Sequence, residues 1–308
     1  MDDRRWLGIA LATAGTLVLS SESVVLRWIS AGAAPPGQGT VLWCVGLATT
    51  AVAASISLVR LGARGTSIAV RRGGADLWWA GGLQGTSTLL FVLAIASTAV
   101  ADVVAVLAAA PLCTALVAVI WLGERPSRRV WLGIAASAVG VAVVAWGSLG
   151  GGSALGVLAA LGAVLAFAVS VSVLRRRDDL DRFAVVAVAG GCVALAATPF
   201  ARPGELDARS LALVVLLGAV IGPTSRWMLS SAPRYLPASQ IGLFIPIETV
   251  AATTWAYLAF DEVPVAGTWL GGALVLIGVV VAVVEPAGPF TPRTASSPPP
   301  GSAAPRRR

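Results

Sequence analysis

The sequence contains no lysine and no histidine, and only 12% of its 308 residues are charged. Without lysine it has neither the phosphate-binding lysine of a P-loop nor a Schiff-base lysine, and without histidine it has no Ser-His-Asp triad. Its three cysteines, Cys44, Cys113 and Cys192, stand singly in apolar segments and match no metal or redox spacing. We therefore expect no cofactor, no metal site and no enzyme activity.

Long apolar stretches make up most of the chain, of which 57% is hydrophobic. About 20 residues of helix cross a bilayer core, and each segment must satisfy its own backbone hydrogen bonds there. Each stretch has 18 to 23 residues, so the sequence predicts an all-α polytopic membrane protein with ten transmembrane helices. The predicted spans are 7–29, 38–59, 77–96, 100–122, 130–149, 154–174, 183–200, 211–232, 237–259 and 266–284.

The second half of the chain repeats the first half at an offset of 138 residues. Residues 99–144 align with 237–282, and the matched pairs are Glu124 and Glu262, Pro126 and Pro264, Trp131 and Trp269, Gly133 and Gly271, and Gly140 and Gly278. This predicts two five-helix repeats, 6–149 and 150–284, followed by a disordered Pro/Ser/Arg-rich cytoplasmic tail, 285–308. Because five is odd, the two repeats are expected to have opposite orientations in the membrane, which suits alternating access.

The arginines predict how the chain is oriented. Eighteen of the 22 lie at the termini or in loops on one side of the ten predicted spans, and loops on the other side hold only Arg202 and Arg209. By the positive-inside rule, both termini are expected in the cytoplasm, with the spans in the inner (plasma) membrane. The N-terminal segment lacks a clear cleavage site and is interpreted as an uncleaved first span. The net charge of +7 follows from this topology, so no nucleic-acid partner is expected.

Several of these segments resemble a known family. The stretch from Pro111 to Glu124, ending in Leu-Gly-Glu, is followed by Trp131-Leu-Gly and Gly140, and together they resemble the EamA repeat of the drug/metabolite transporter superfamily. The second copy has Ile247-Glu248-Thr249 where the family often has Glu-Pro, and Phe260-Asp261-Glu262 where it often has Leu-Gly-Glu. The resemblance covers about 6–284. It implies a ten-helix carrier, five plus five inverted, that moves a small metabolite, often outward.

Two ionisable residues lie deep within predicted spans, where a charge costs roughly 2.5–3.5 kcal/mol on insertion scales. Glu248 is at the twelfth of 23 positions in the ninth span, and it is predicted to bind a substrate ammonium or a coupling proton. The alternative is a structural ion pair. Arg226, in the eighth span, would pair with Glu248 or hold a substrate carboxylate. The alternative is that its side chain reaches the cytoplasmic interface.

Further candidates form an outer polar group. Glu22 lies in a Ser20-Ser21-Glu22-Ser23 cluster of the first span, and Arg27 and Asp102 are close enough to the same side to join it. This group is interpreted as a polar vestibule, with a closed salt bridge as the alternative. Asp102 could equally stabilise the N-terminus of its own helix.

Polar residues also occur at corresponding depths in both halves. Gln84 in the third span and Thr224 in the eighth suggest a shared cavity, although Ser and Thr hydroxyls often bond their own helix instead. Trp227 is a candidate cavity wall for an ammonium substrate, with ordinary packing as the alternative.

Together these observations predict a secondary transporter of a small metabolite, with an amino acid or other zwitterion preferred and export favoured. Coupling to a proton and assembly as a homodimer are left open. The alternatives are a membrane enzyme acting on a lipid-linked substrate and a non-transporting scaffold. The enzyme would need metal-binding carboxylates, and the sequence offers only Asp178, Asp179 and Asp181, which arginines surround.

Overall fold

The computed structural model describes residues 3–31, 35–98, 103, 106–107, 109–145, 153–260 and 266–283. Of these described residues 89% are helical, and none is in a strand. The all-α class predicted from the apolar stretches is therefore confirmed. Asp102, Asp261, Glu262 and the tail 285–308, all named above, lie outside the described residues.

The helices follow one another with short connections. In chain order they are α1 (Asp3–Ser20), α2 (Glu22–Ser30), α3 (Gln38–Ser97), α4 (Ala110–Val117), α5 (Arg128–Ala145), α6 (Ala154–Arg176), α7 (Arg182–Ala197), α8 (Ala208–Val215), α9 (Gly222–Ser231), α10 (Ala238–Ile241), α11 (Phe244–Phe260) and α12 (Ala266–Val283). Two π-helical turns extend this set, Ala118–Leu122 after α4 and Leu216–Ile221 between α8 and α9.

Six of the described helical segments are long and apolar enough to cross a membrane. They are Arg4–Ser30, Gln38–Ser97, Ala154–Arg176, Arg182–Phe200, Ala208–Arg234 and Ala238–Phe260. Shorter apolar helices cover Ala110–Leu122 and Leu270–Ala282. Every one of these segments overlaps a predicted span, and Gln38–Ser97 overlaps two of them.

The 60-residue α3 bends at two glycines. Gly62 has a φ of 69° and Gly74 a φ of 50°, and both backbones are non-helical inside an otherwise helical run. Positive φ favours glycine because it has no Cβ to clash with the backbone. The sequence predicts two spans, 38–59 and 77–96, separated by a loop. The structure places a helical segment between the two bends instead.

Three prolines lie near the starts of helices. Pro111 stands at the start of α4 and Pro246 in the first turn of α11, where the first N–H groups of a helix have no partner within it and a residue without an N–H is tolerated. Pro223 instead directly follows the π-helical turn Leu216–Ile221, at the start of α9. The eighth span is divided into α8, a π-helical turn and α9 at this point.

Glycines bring several helices into backbone contact. A Cβ added to Gly140 of α5 would lie 2.6 Å from the Gly271 carbonyl oxygen of α12, and one added to Gly278 would lie 2.7 Å from the Gly133 oxygen. Because the earlier glycine of α5 meets the later glycine of α12, the two helices run antiparallel. α3 and α7 also approach closely at Gly81, where a Cβ would lie 2.7 Å from the Val185 oxygen.

Arginines from several connections meet at one end of the bundle, which we call the basic end. Arg177 pairs with Asp76, Arg175 lies 3.8 Å from Glu124, and Arg234 donates to the Leu180 carbonyl at 2.9 Å. The largest apolar cluster lies just inside this end. We call it the basic-end cluster; it comprises Ala12, Ala115, Ala118, Val130, Ile134, Val171, Ala232, Leu236, Ala238, Ile241, Leu243, Phe244, Ile247, Val279 and Ala282.

Candidate functional site

An ion pair joins the two halves of the chain near the middle of the bundle. The Arg226 Nη2 of α9 lies 4.0 Å from the Glu22 Oε2 of α2, and about a quarter of each side chain is exposed. Glu22 is the first residue of α2, directly after the helix breaks at Ser21. The structure thus gives Arg226 a partner on the first span. The sequence had offered Glu248 or a substrate carboxylate.

Glu248 of α11 lies close to this pair. It is deep within the protein, and it interacts electrostatically with both Glu22 and Arg226. Its side chain nevertheless keeps part of its surface accessible. Among the described residues, no group donates a hydrogen bond to Glu248 and no cation lies within ion-pair distance of it. The site therefore holds two carboxylates and one guanidinium, and Glu248 is the carboxylate without a direct partner.

The break between α1 and α2 shapes one wall of this site. The hydroxyls of Ser20, Ser21 and Ser23 donate to carbonyls three residues earlier, at 2.7 to 2.8 Å. Such bonds compete with the regular helical pattern and favour a bend. The indole Nε1 of Trp255 donates to the Ser20 Oγ at 2.9 Å and ties α11 to this bend.

An apolar groove lies between α2 and α11. It has a volume of about 270 Å³ and begins beside Ser21; its other lining residues are Val24, Val25, Trp28, Trp255, Leu258 and Ala259. Arg27 lies near the far end of the same helices, with its guanidinium 4.5 Å from the centre of the Phe260 ring. Asp102, the third member predicted for the outer polar group, lies outside the described residues.

Gln84 of α3 contacts α9 one helical turn beyond Arg226. Its Nε2 donates to the Ser230 Oγ at 2.8 Å, so α3 and α9 meet there. Its Oε1 is buried and has no hydrogen-bond partner in the described part of the chain. Thr224 has an exposed side chain two residues before Arg226, whereas the neighbouring Ser225 bonds the Ile221 carbonyl of its own helix at 2.7 Å.

Trp227, the residue after Arg226, packs against α7. Its ring stacks on Phe183 of α7, with 5.4 Å between the ring centres. The guanidinium of Arg60, which belongs to α3, lies 5.3 Å from the centre of the Phe183 ring. Trp227 therefore packs between helices, which is the alternative that the sequence left open for it.

The aspartates that a metal-dependent enzyme would need make other contacts. Asp179 accepts two hydrogen bonds from Arg177, at 2.8 and 3.0 Å, and this guanidinium holds the pKa of Asp179 below its usual range. Asp181 accepts from the Ser57 hydroxyl and from the Phe183 backbone N–H. The described residues include no group of three or more acidic, cysteine or histidine side chains that could hold a metal ion.

Glu124 has structural contacts that the sequence did not predict. Its carboxylate accepts hydrogen bonds from the backbone N–H groups of Ala238 and Ser239, at 2.9 and 3.1 Å, and from the Ser239 hydroxyl at 2.9 Å. In the sequence Glu124 served only as a marker of the repeat. Its recurrence as Glu262 was the one signal that pointed to a role for it.

Comparison with known families identifies the second half of the chain. Residues 151–284 match the model of the EamA-like transporter family. These residues belong to the EamA-like transporter family. The resemblance drawn from the sequence motifs is thereby confirmed, and with it the class of a membrane transporter with transmembrane helices. This family implies a small-molecule substrate and a lipid bilayer as the surroundings of the protein.

The fold of nearly the whole chain is shared with a solved structure. A structure titled "Crystal structure of protein" superposes with a TM-score of 0.76 and 19% sequence identity. The match covers 91% of this chain and 98% of the other chain, so it shows a shared fold over nearly their full lengths. No curated protein sequence matches this chain.

Proposed function

We propose that this protein is a secondary transporter that exports a small zwitterionic metabolite, such as an amino acid, by alternating access. The observation that carries the proposal is the group of Glu22, Arg226 and Glu248, three partly accessible ionisable side chains near the middle of the bundle. Ionisable groups at membrane depth are costly, and they usually mark a substrate or ion pathway. Together with the family of residues 151–284, this group favours a carrier over the scaffold alternative.

The proposed architecture is ten transmembrane helices in two inverted five-helix repeats. The glycine contacts between α5 and α12 support it. At an offset of 138 residues, Gly133 corresponds to Gly271 and Gly140 to Gly278. Exchanging the two halves therefore turns the contact between Gly133 and Gly278 into the contact between Gly271 and Gly140. Both contacts are present in the structure. Such reciprocal contacts between antiparallel helices are expected when a two-fold axis lies in the membrane plane.

A second pair of contacts supports the same symmetry. A Cβ added to Gly8 of α1 would lie 2.7 Å from the Tyr235 Cβ, and one added to Gly156 of α6 would lie 2.5 Å from the Thr98 Cβ. Gly8 lies near the start of the first span and Gly156 near the start of the sixth. Their partners stand at the end of the eighth span and at the end of the third, which are the corresponding helices of the two repeats.

The basic end is proposed to face the cytoplasm. Arginine-rich loops stay on the cytoplasmic side during insertion, and the arginines that meet at the basic end are those of the predicted cytoplasmic loops. The carrier would then hold both termini inside the cell and lie in the inner membrane. Association of two copies is a separate proposal, which light scattering of the purified protein tests.

The charges of the site determine the proposed substrate class. Arg226 is already paired with Glu22, so Glu248 is one carboxylate in excess and would bind a substrate ammonium. Arg226 can form two parallel hydrogen bonds with a carboxylate, and it would exchange Glu22 for the carboxylate of the substrate. A proton on Glu248 would neutralise the site when no substrate is bound, which makes exchange of substrate against a proton the expected coupling.

Uptake driven by an imposed pH gradient tests this proposal. Purified protein in liposomes is given labelled amino acids, and each is compared with the matching amine without a carboxylate and the matching acid without an amine. We expect uptake of a few amino acids that follows the pH gradient, with weaker uptake of both analogues. Equal uptake of the acids without an amine would contradict the role of Glu248.

A further inference from the structure

The carboxylate of Glu124 connects the two halves of the chain at the basic end. Glu124 follows Gly123, whose φ of 66° turns the chain at the end of the π-helical turn. Its side chain is only 14% exposed. The two oxygens accept from Ala238 and Ser239, which begin the ninth span, and Arg175 of α6 stands 3.8 Å away. We call this set of contacts the Glu124 clasp.

The Glu124 clasp lies directly over the basic-end cluster. Ala118 precedes Glu124 in the chain, and Ala238 both donates to Glu124 and belongs to the cluster. The cluster continues along the ninth span through Ile241, Leu243 and Phe244 to Ile247, the residue before Glu248. Tightly packed apolar side chains therefore fill the way from the basic end to Glu248.

The opposite side of Glu248 is more open. The apolar groove beside Ser21 lies on that side, where Trp255 and Leu258 of the same helix line it. Glu22 and Arg226 keep about a quarter of their side chains exposed. The structure therefore packs the protein more tightly on the basic-end side of Glu248 than on the other side.

We propose that Glu124 is the positioning residue that keeps the basic end closed, and that its clasp must release before Glu248 can be reached from that end. This inference rests on the alternating access proposed above. The ninth span carries both the donors of the clasp, at its start, and Glu248, about ten residues later. Releasing its start frees the residues of the basic-end cluster to separate from α4 and open a path.

A carboxylate is required because every partner of Glu124 is a donor. Two backbone N–H groups and one hydroxyl donate to its two oxygens, and the Arg175 guanidinium lies 3.8 Å from one of them. In a glutamine side chain an NH₂ group replaces one of the two carboxylate oxygens. This NH₂ group is a donor and would face another donor in the clasp. Glu124→Gln thus breaks the clasp while changing the size of the side chain very little.

Hydrogen–deuterium exchange of the purified full-length protein, without substrate, tests the proposal. In E124Q we expect about tenfold faster exchange in peptides covering 238–247 and 128–134, because losing one charge-assisted hydrogen bond costs about that factor in the closed population. Peptides of α7, which is packed away from the clasp, should exchange as in the wild type. Glu124→Asp keeps both carboxylate oxygens on a side chain that is one methylene shorter. Its exchange rate in these peptides should lie between those of E124Q and the wild type.

The matched control is Glu205→Gln at the opposite end. Glu205 accepts from the Gly37 backbone N–H at 3.3 Å and lies 3.7 Å from Arg202, so it too joins two connections, but away from the basic end. This variant should leave exchange of 238–247 unchanged. Unchanged exchange in E124Q, or a uniform rise that includes α7, would overturn the proposal. Hydrogen–deuterium exchange does not depend on transport, so its result can be interpreted even if the transport assay fails.

Discussion

Arg226 and Glu22 face each other at 4.0 Å although they are 204 positions apart in the chain and belong to different halves. Their pairing brings the first span against the eighth, and it leaves Glu248 as the carboxylate without a direct partner. The proposed mechanism depends on this uneven distribution of charge. Four predictions test it and the packing around it.

Replacing Glu248 with glutamine should lower transport without unfolding the protein. The neutral amide keeps the shape of the carboxylate but loses its charge toward an ammonium, so we expect a fall in flux of about ten- to a hundredfold. Thermal stability should stay the same or rise, because a neutral amide costs less to bury than an ionisable carboxylate without a direct partner among the described residues. Flux into liposomes and melting in detergent measure the two effects, with Glu205→Gln as the control. Normal flux in E248Q would remove Glu248 from the mechanism.

The Arg226–Glu22 pair should behave as a coupled unit. Arg226→Met and Glu22→Gln each leave a charge at membrane depth without its partner, so each should lower the melting temperature. The double variant removes both charges, and we expect it to recover part of that loss, with a coupling energy of about 1 kcal/mol. Transport should not recover, because the proposed carboxylate site is absent. Additive losses in stability would show that the pair does not interact.

Packing at the glycine contact should tolerate no added methyl group. A Cβ at position 140 would stand 2.6 Å from the Gly271 oxygen and 2.9 Å from the Val275 side chain, so we expect Gly140→Ala to cost about 1–3 kcal/mol. Gly82 is the matched control, since a Cβ there meets nothing within 4 Å. Gly82→Ala should be neutral or slightly stabilising, as alanine favours helices over glycine. Equal melting temperatures of the two variants would contradict the close approach of α5 and α12.

The repeat predicts an opposite effect at Glu262, which lies outside the described residues. Glu262 corresponds to Glu124 at the offset of 138 residues. If the two halves exchange conformations during the cycle, E262Q should favour the state that is closed at the basic end. We then expect slower exchange than the wild type in peptides covering 238–247. Faster exchange there, as in E124Q, would argue against reciprocal roles for the two glutamates.

Helix positions were predictable because the bilayer constrains them. The predicted spans 154–174 and 183–200 correspond to α6, Ala154–Arg176, and α7, Arg182–Ala197. Apolar runs of this length must form helices in lipid, so composition is sufficient. The close contact of Gly81 was predictable for a similar local reason, since spaced small residues allow helices to approach. The helical segment between Gly62 and Gly74 was not, because its polar composition resembles that of a loop.

The partners of the charged residues could not be predicted from the sequence. Whether Arg226 meets Glu248 or Glu22 depends on how each helix is rotated about its axis, and that is set by packing over the whole bundle. The contacts of Glu124 join residues 114 and 115 positions apart, and no local pattern reports them. Trp227 could be assigned to packing only once Phe183 was seen to stack on it.

The central claim is that this chain carries a small metabolite across a bilayer, and counterflow tests it most directly. Liposomes containing the purified protein are preloaded with a pooled metabolite extract, and mass spectrometry measures which compounds exchange with the outside. The account predicts selective exchange of a few compounds that bear an ammonium group, largely lost in E248Q. Folded protein that exchanges nothing, or exchanges the same compounds equally well in E248Q, would contradict it.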